Sequence, residues 1–194
     1  MSHFIEHYDT MSLDDFEDLL PDMPHDQRWE LIDGRVIKAM VGARWEHNII
    51  SQNIAYGLRQ QLRARNAPCH VFLETFYMKN KSIKSATLPD VMVPCGALPV
   101  GATSVDNPVI LVEVMSRGSA SRDHNEKWRS YRRLVSLQHY VLVERDRPCI
   151  YVFDRAGEAW ANLRSLEGLD AVLDLPAQGL SVSLAKVYED VLPA

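Results

Sequence analysis

The stretch NPVILVEVMS, residues 107–116, sets one glutamate, Glu113, inside a run of apolar and largely β-branched residues. Asn-Pro bounds the run on one side and Ser-Arg-Gly-Ser on the other. A short apolar run with such punctuation reads as a strand buried on both faces. A carboxylate is rare in that setting unless a partner neutralises it. Working outward, LPDVMV (88–93) reads as the preceding strand and Ser121 to about Leu134 as the following helix. HYVLVER (139–145) is the next strand. The strand–helix–strand unit from 108 to 145 suits a crossover between parallel strands, so the expected class is α/β, a mixed sheet flanked by helices.

The flanking segments extend this frame. Met11-Ser-Leu-Asp-Asp-Phe-Glu-Asp-Leu-Leu20 has Ser12 as N-cap, acidic residues in its first turn and Pro21 at its end, the pattern of a short helix. RWELIDGRVIKAM (28–40) places two apolar runs around Asp33-Gly34, a hairpin signal. From Trp45 to about Arg65, Ile50, Ile54, Leu58 and Leu62 recur at helical spacing. HVFLETFYMK (70–79) reads as one strand with NKSIKSA (80–86) as its loop, and CIYVFDR (149–155) pairs with 139–145 in a hairpin. Beyond Gly157 the chain is polar and amphipathic, closing on a strand and short helix within 180–191. Asp123-x-x-Glu126 matches a capping box at the start of the crossover helix.

Bulk properties narrow the classes. A chain of 194 residues fits one domain: an amino-terminal helical arm (1–25), a core (26–155) and a carboxy-terminal extension (156–194). A net charge of -5 provides no global basic field for nucleic acid, so any such contact needs a local basic face. The three cysteines, Cys69, Cys95 and Cys149, form no paired motif, which suggests neither a disulfide framework nor a zinc site. The polar start MSHFIEHYDT is unlike a signal peptide, and no apolar run is long enough to span a membrane; a reduced, cytoplasmic protein is expected. Seven histidines show no metal spacing, and there is no Gly-rich phosphate loop or GxSxG elbow.

Two acidic residues interrupt apolar runs: Asp90 at the start of LPDVMV, and Glu113. Were their strands neighbours, the carboxylates would converge, repel, and call for a proton or a cation between them. Hard ions such as Mg²⁺ or Mn²⁺ prefer such oxygen ligands. The structural alternative makes Asp90 a strand-start residue and pairs Glu113 with an arginine such as Arg129. Asp123, Lys127 and Tyr131 fall at i, i+4 and i+8, on one face of the crossover helix. Singly they read as N-cap, solvated ion-pair partner and core residue. Because the helix packs back over its strand, Lys127 can reach Glu113. Arg129, Arg132 and Arg133 could grip phosphates, or form a solvated face.

Taken in order, MSLDDFEDLL, WELIDGRVIKAM, the His47 helix, LPDVMV, NPVILVEVMS, RDHNEKWRSY and HYVLVE resemble the Uma2 family, a branch of the PD-(D/E)XK nuclease-like superfamily. The resemblance covers about three quarters of the chain. It implies a restriction-endonuclease-like mixed central sheet with an added β-hairpin. It further implies a divalent metal, Mg²⁺ or Mn²⁺, held by Asp90, Glu113 and the backbone carbonyl of Val114. Glu30 would be an upstream acidic position and His47 a residue near the cleft; read alone, these are an exposed hairpin carboxylate and a solvated helix-start residue. The superfamily places a lysine two residues after the acidic position, where this chain has Met115. The Uma2 resemblance puts the lysine on the next helix, at Lys127.

The implied activity is metal-dependent hydrolysis of nucleic-acid phosphodiesters, with DNA as partner. Such hydrolysis needs the phosphate charge offset, a water made nucleophilic and the leaving alkoxide stabilised. Lys127 would orient or deprotonate the water, or neutralise the phosphate. The competing reading is a non-catalytic binding or interaction protein on the same fold, dimeric in one version, with a vestigial acidic site. A small-molecule hydrolase reusing the acidic pocket is a third reading.

Overall fold

The computed structural model describes residues 10–24, 27–39, 44–115 and 122–192, with the backbone alone at 39 and 122–124. Strand β8, Pro108–Met115, buries every residue but Val109. It is flanked on both edges: β6, Val91–Pro94, runs antiparallel beside it, and β9, His139–Glu144, runs parallel on its other side. Alternation along β8 divides the interior in two. Ile110, Val112 and Val114 face one core, where α2 (Trp45–Ala64) lays down Ile50, Ile54, Leu58 and Leu62. Leu111 faces the other, beneath Tyr131, Leu134 and Leu137. Glu113 shares the parity of Leu111, so it points to the side crossed by α3, Arg122–Tyr131.

The sheet runs β11-β10-β9-β8-β6-β3, where β10 is Cys149–Ala156, β11 is Ala159–Trp160 and β3 is Phe72–Leu73; β12, Arg164–Glu167, also pairs with β10. A second sheet, β2-β1-β5-β4-β7, contains the expected hairpin: β1, Arg28–Ile32, and β2, Arg35–Ala39, turn at Asp33 (φ 50) and Gly34 (φ 79). Two positive φ angles are what a two-residue hairpin turn of the right twist requires. A side chain at Gly34 would also strike the Thr10 Cβ at 2.5 Å. In this sheet β4 is Tyr77–Asn80, β5 is Ser85–Thr87 and β7 is Ser104–Val105. Helix α1, Leu13–Leu19, opens with Asp15 N–H donating to Ser12 Oγ at 3.1 Å, as its sequence implies.

The α/β class and the mixed sheet agree with the sequence reading, and three local readings are corrected. Segment 70–79 is two strands, because a turn at 74–76 sends β3 to one sheet and β4 to the other. Within 80–86, Ser85 and Ala86 belong to β5, a strand whose residues are all buried. Cys69 and Cys95 are joined by a disulfide, since the chain leaving α2 returns antiparallel to the end of β6. His70 N–H donates to Pro94 O at 3.0 Å and Gly96 N–H to Pro68 O at 2.6 Å on either side of that link. Cys149 is free and buried. The capping box at Asp123 lies outside the described side chains.

The segment after Gly157 completes the first core: β13 (Val172–Leu175) and β14 (Leu180–Ser183) pair, and Leu173, Leu175 and Leu180 are fully buried against α2's side of the sheet. His139 fastens this segment. Its Nε2 receives the Ala177 N–H at 3.3 Å, which leaves the ring proton on Nδ1 for Asp154 at 2.6 Å, and Arg164 donates to the other Asp154 oxygen at 2.5 Å. Burial outweighs the Asp154 carboxylate, and the His139 pKa is lowered.

Two expectations result. Closing a loop across a sequence separation of 26 removes unfolded-state entropy. Reductant, or a Cys69→Ser/Cys95→Ser double variant, should therefore cost about 3 kcal/mol in denaturant unfolding; equal stability with and without reductant would refute this. His139 binds a proton more weakly folded than unfolded, so its contribution is present above its ordinary 6.5 and lost as pH falls through its lowered value. His139→Gln should be less stable near neutrality but flatter in stability below that point, as thermal melts across pH would show.

Candidate active site

The site forms where the two sheets meet over the Glu113 face of β8. Antiparallel register pairs Val91 with Val112, so Asp90, one residue before β6, comes opposite Glu113. Asp90 Oδ2 accepts the Val114 N–H at 2.6 Å and lies 3.1 Å from His47 Nε2, brought by the first turn of α2. From the second sheet, Glu30 on β1 reaches over, and its Oε1 accepts the Leu88 N–H at 2.7 Å. From above, α3 supplies Lys127, whose Nζ donates to Glu113 Oε1 and Oε2 at 3.0 and 3.1 Å and lies 3.4 Å from Glu30 Oε1. Tyr131, one turn further along α3, sets its hydroxyl 3.2 Å from Glu113 Oε1 and 2.8 Å from Thr87 Oγ1.

Two carboxylates are thus buried, Glu30 at 5 % and Glu113 at 4 % exposed, and the half-buried Asp90 and Lys127 lie against them. Burial pushes Glu113 up to about 7; Lys127 pulls it down, and the charges of Asp90 and Glu30 push it further up. Burial acts against the Lys127 cation, yet Glu113, Glu30 and Asp90 together lift its pKa well above the ordinary lysine value. Asp90 ends below the usual carboxylate range: burial opposes this, but His47, the Val114 N–H and Lys127 outweigh it. His47 is raised because its bond to Asp90 overcomes burial. Opposite displacements within one cluster are shared by functional sites and structural ion-pair networks.

The structure therefore gathers Asp90, Glu113, Lys127, Glu30, His47 and Tyr131. Glu113 pairs with Lys127 rather than with Arg129. Neither Glu30 nor His47 is a solvated surface group, as each would be if its segment stood alone. Arg129 and Arg132 are exposed, and Arg133 is taken up by Asp33 Oδ1 at 2.7 Å and the Ile83 carbonyl at 3.0 Å. The Asp123 side chain lies outside the described residues. Thr87 and the Leu88 amide are additions that sequence reading missed, because β5 passes for a loop; the apolar-flanked hydroxyl in SATLPD was the available signal.

Among the described residues no three His, Cys, Asp or Glu side chains form a group that would hold a metal unaided. The donor chemistry nonetheless suits Mg²⁺ or Mn²⁺: two hard carboxylates and excess negative charge. Such ions keep several waters and take one or two protein carboxylates, with substrate oxygens completing the shell. Buried polar atoms without a partner among the described residues include His47 Nδ1 and the hydroxyl of Tyr140, whose pKa is raised by burial and by Glu113. Unsatisfied buried groups in a folded protein call for a bound molecule or a functional reason.

Fold and acidic cluster together define an α/β protein of nuclease fold. Residues 13–185 match the Uma2 family, described as "Putative restriction endonuclease", and the chain belongs to that family. Similar proteins include two from Synechocystis, strain PCC 6803. "Uncharacterized protein sll1609" is 26% identical over 151 residues, 76% of this chain and 84% of the relative. "Uncharacterized protein slr1290" is 24% identical over 163 residues, 84% of each. Among solved structures, a crystal structure from Anabaena variabilis described as "a putative nuclease belonging to DUF820" superposes with a TM-score of 0.75 at 17% identity. The superposition covers 94% of this chain and 99% of that one. Among the described residues no helix is long and apolar enough to cross a membrane.

The cluster predicts its own pH response. Lys127→Met removes the ammonium that faces Glu113 and Glu30 and should cost about 3–5 kcal/mol near neutrality, as unpaired buried charges do. Glu113 has a folded pKa above its ordinary 4.5, so the folded state holds the extra proton and gains stability as pH falls through about 7. Lys127 holds that pKa down, so in the variant Glu113 keeps its proton to higher pH, and the variant's deficit should shrink from about pH 8 to about pH 5. A deficit that is constant or grows in urea titrations at the two pH values would contradict this charge balance.

Proposed function

We propose that the protein is a divalent-metal-dependent endonuclease that hydrolyses nucleic-acid phosphodiester bonds. The observation that carries this reading is the gathering of Asp90 and the buried Glu113 and Glu30 about Lys127, where two sheets meet. Asp90 and Glu113, with the Val114 carbonyl, would hold Mg²⁺ or Mn²⁺, which supplies Lewis-acid charge and an activated water. His47 and the Val114 amide hold Asp90 in one orientation. Lys127 lies between Glu113 and Glu30 as an ammonium shared by two carboxylates. Its part is then electrostatic: it donates to a phosphate oxygen as charge develops. Glu30, anchored by the Leu88 amide, keeps Lys127 in reach when Glu113 is engaged elsewhere.

The substrate we assign is DNA, met in the cytoplasm by one nuclease-like domain spanning residues 1–194. With a net charge of -5, binding should be weak and rest on few phosphate contacts, so its salt dependence should be shallow. A non-catalytic interaction protein is the second reading. The observation favouring it is that Lys127 already satisfies both oxygens of Glu113.

Plasmid cleavage in Mg²⁺ or Mn²⁺ tests the proposal. Wild type should nick or cut, Asp90→Ala and Glu113→Ala should fall to background, and Lys127→Ala should lose about a hundred- to a thousandfold in kcat. Undiminished cleavage by all three variants, or none by wild type, would overturn the assignment.

A further inference from the structure

Glu113 is held on one oxygen by a group the chemistry above does not use. Tyr131 and Thr87 are both fully buried, and their oxygens with Glu113 Oε1 form an unbroken line: 2.8 Å from Thr87 Oγ1 to Tyr131 Oη, then 3.2 Å to Glu113. The phenol has one hydrogen and two oxygens within reach. An ionised carboxylate can only accept, whereas a threonine hydroxyl can donate. The assignment that satisfies every group sends the Tyr131 hydrogen to Glu113 and the Thr87 hydrogen to the Tyr131 oxygen. Three elements contribute one member each: β5, α3 and β8.

We propose that Thr87 and Tyr131 form a hydroxyl relay that positions the Glu113 carboxylate, making both of them positioning residues for the metal site. This rests on the metal-dependent reading above. Without the relay, Glu113 would keep, among the described side chains, Lys127, whose flexible stem follows the carboxylate rather than fixing it. A phenol on a fully buried ring is different, because packing sets where its oxygen lies. The ring lies edge-on to Tyr140, centroids 5.5 Å apart at 77°. Thr87 in turn fixes the phenolic hydrogen, since a hydroxyl donating into the phenol oxygen leaves only the Glu113 direction for the phenol's own proton. Groups of this kind, bonded to a ligand rather than to the ion, commonly govern affinity.

The test compares Tyr131→Phe, Thr87→Val and Thr87→Ser with wild type by Mn²⁺ calorimetry, DNA-cleavage kinetics and infrared spectroscopy of the Glu113 carboxylate stretch, identified by its loss in Glu113→Gln. Tyr131→Phe keeps the ring and should weaken Mn²⁺ binding and kcat by about ten- to a hundredfold, with the KM for DNA unchanged. Thr87→Val should move both in the same direction, Thr87→Ser should restore them, and the Glu113 band should shift in the first two variants only. Wild-type affinity, kcat and band position in Tyr131→Phe would overturn the relay; so would a Thr87→Ser variant as impaired as Thr87→Val or more so, because a packing role spares the isosteric Val and penalises the smaller Ser. Should Tyr131→Phe fail to fold, the Val and Ser pair decides. If wild type neither binds Mn²⁺ nor cuts DNA, the nuclease reading fails by itself. The infrared band then still judges the relay: a shift supports it and an unmoved band refutes it.

Discussion

The site is organised around the cost of burying Glu113. A carboxylate in the middle of a strand covered on both faces loses its water, and the apolar residues beside it return nothing. Charge from Lys127, hydrogen bonds to that charge and a phenol from Tyr131 answer this on one side. Asp90 and Glu30, placed nearby, make the problem worse. A protein seeking stability alone would pair one acid with one base, or fill the space with leucine, since buried ion pairs rarely exceed well-packed apolar residues in stability. Retaining three acids for one lysine is a persistent electrostatic debt of the kind that functional sites carry.

The architecture explains how such a cluster can be built. Asp90 and Glu113 converge because antiparallel register places Asp90, just ahead of β6, opposite Glu113 within β8. Glu30 comes from a different sheet, and the Leu88 amide, just past the neighbouring strand β5, holds its carboxylate where the chain crosses from that sheet to β6. Lys127 and Tyr131 come from a crossover helix whose position follows from the parallel pairing of β8 with β9. No single element carries the site. Its geometry is therefore as rigid as the packing among α2, α3 and the two sheets, which is what preorganised chemistry requires.

Much of this was legible in the sequence, for identifiable reasons. Glu113 stands out because burial of its strand shows in an unbroken apolar run. Asp90 stands out by its Pro-Asp start, and Lys127 and Tyr131 by helical spacing. What escaped depends on long-range placement. Ser85, Ala86 and Thr87 are too few and too polar to read as a strand, yet pairing with β4 and β1 buries all three. The break of 70–79 into two strands depends on two sheets claiming its ends. Cys69 and Cys95 are paired by the path of the chain after α2, which no local pattern encodes. The arginines of the crossover helix read either as phosphate contacts or as a solvated face because composition cannot tell which way a helix faces; the structure ties Arg133 to Asp33 and leaves Arg129 exposed.

Met115 is where these strands of reasoning meet. It stands two residues after Glu113, on the same face of β8, and is 6 % exposed, buried where the superfamily pattern sets a lysine. A lysine there would rise from the sheet beside Glu113. α3 crosses above that same face, so Lys127 can deliver an ammonium to the same carboxylate from the opposite direction. A cation's effect on a neighbouring charge depends on distance and burial, and the element bearing it is irrelevant. Moving the lysine from strand to helix thus preserves the electrostatics while freeing the strand position for packing. It also lets one side chain lie between Glu113 and Glu30, a placement that a residue on β8 beside Glu113 would have to reach from below.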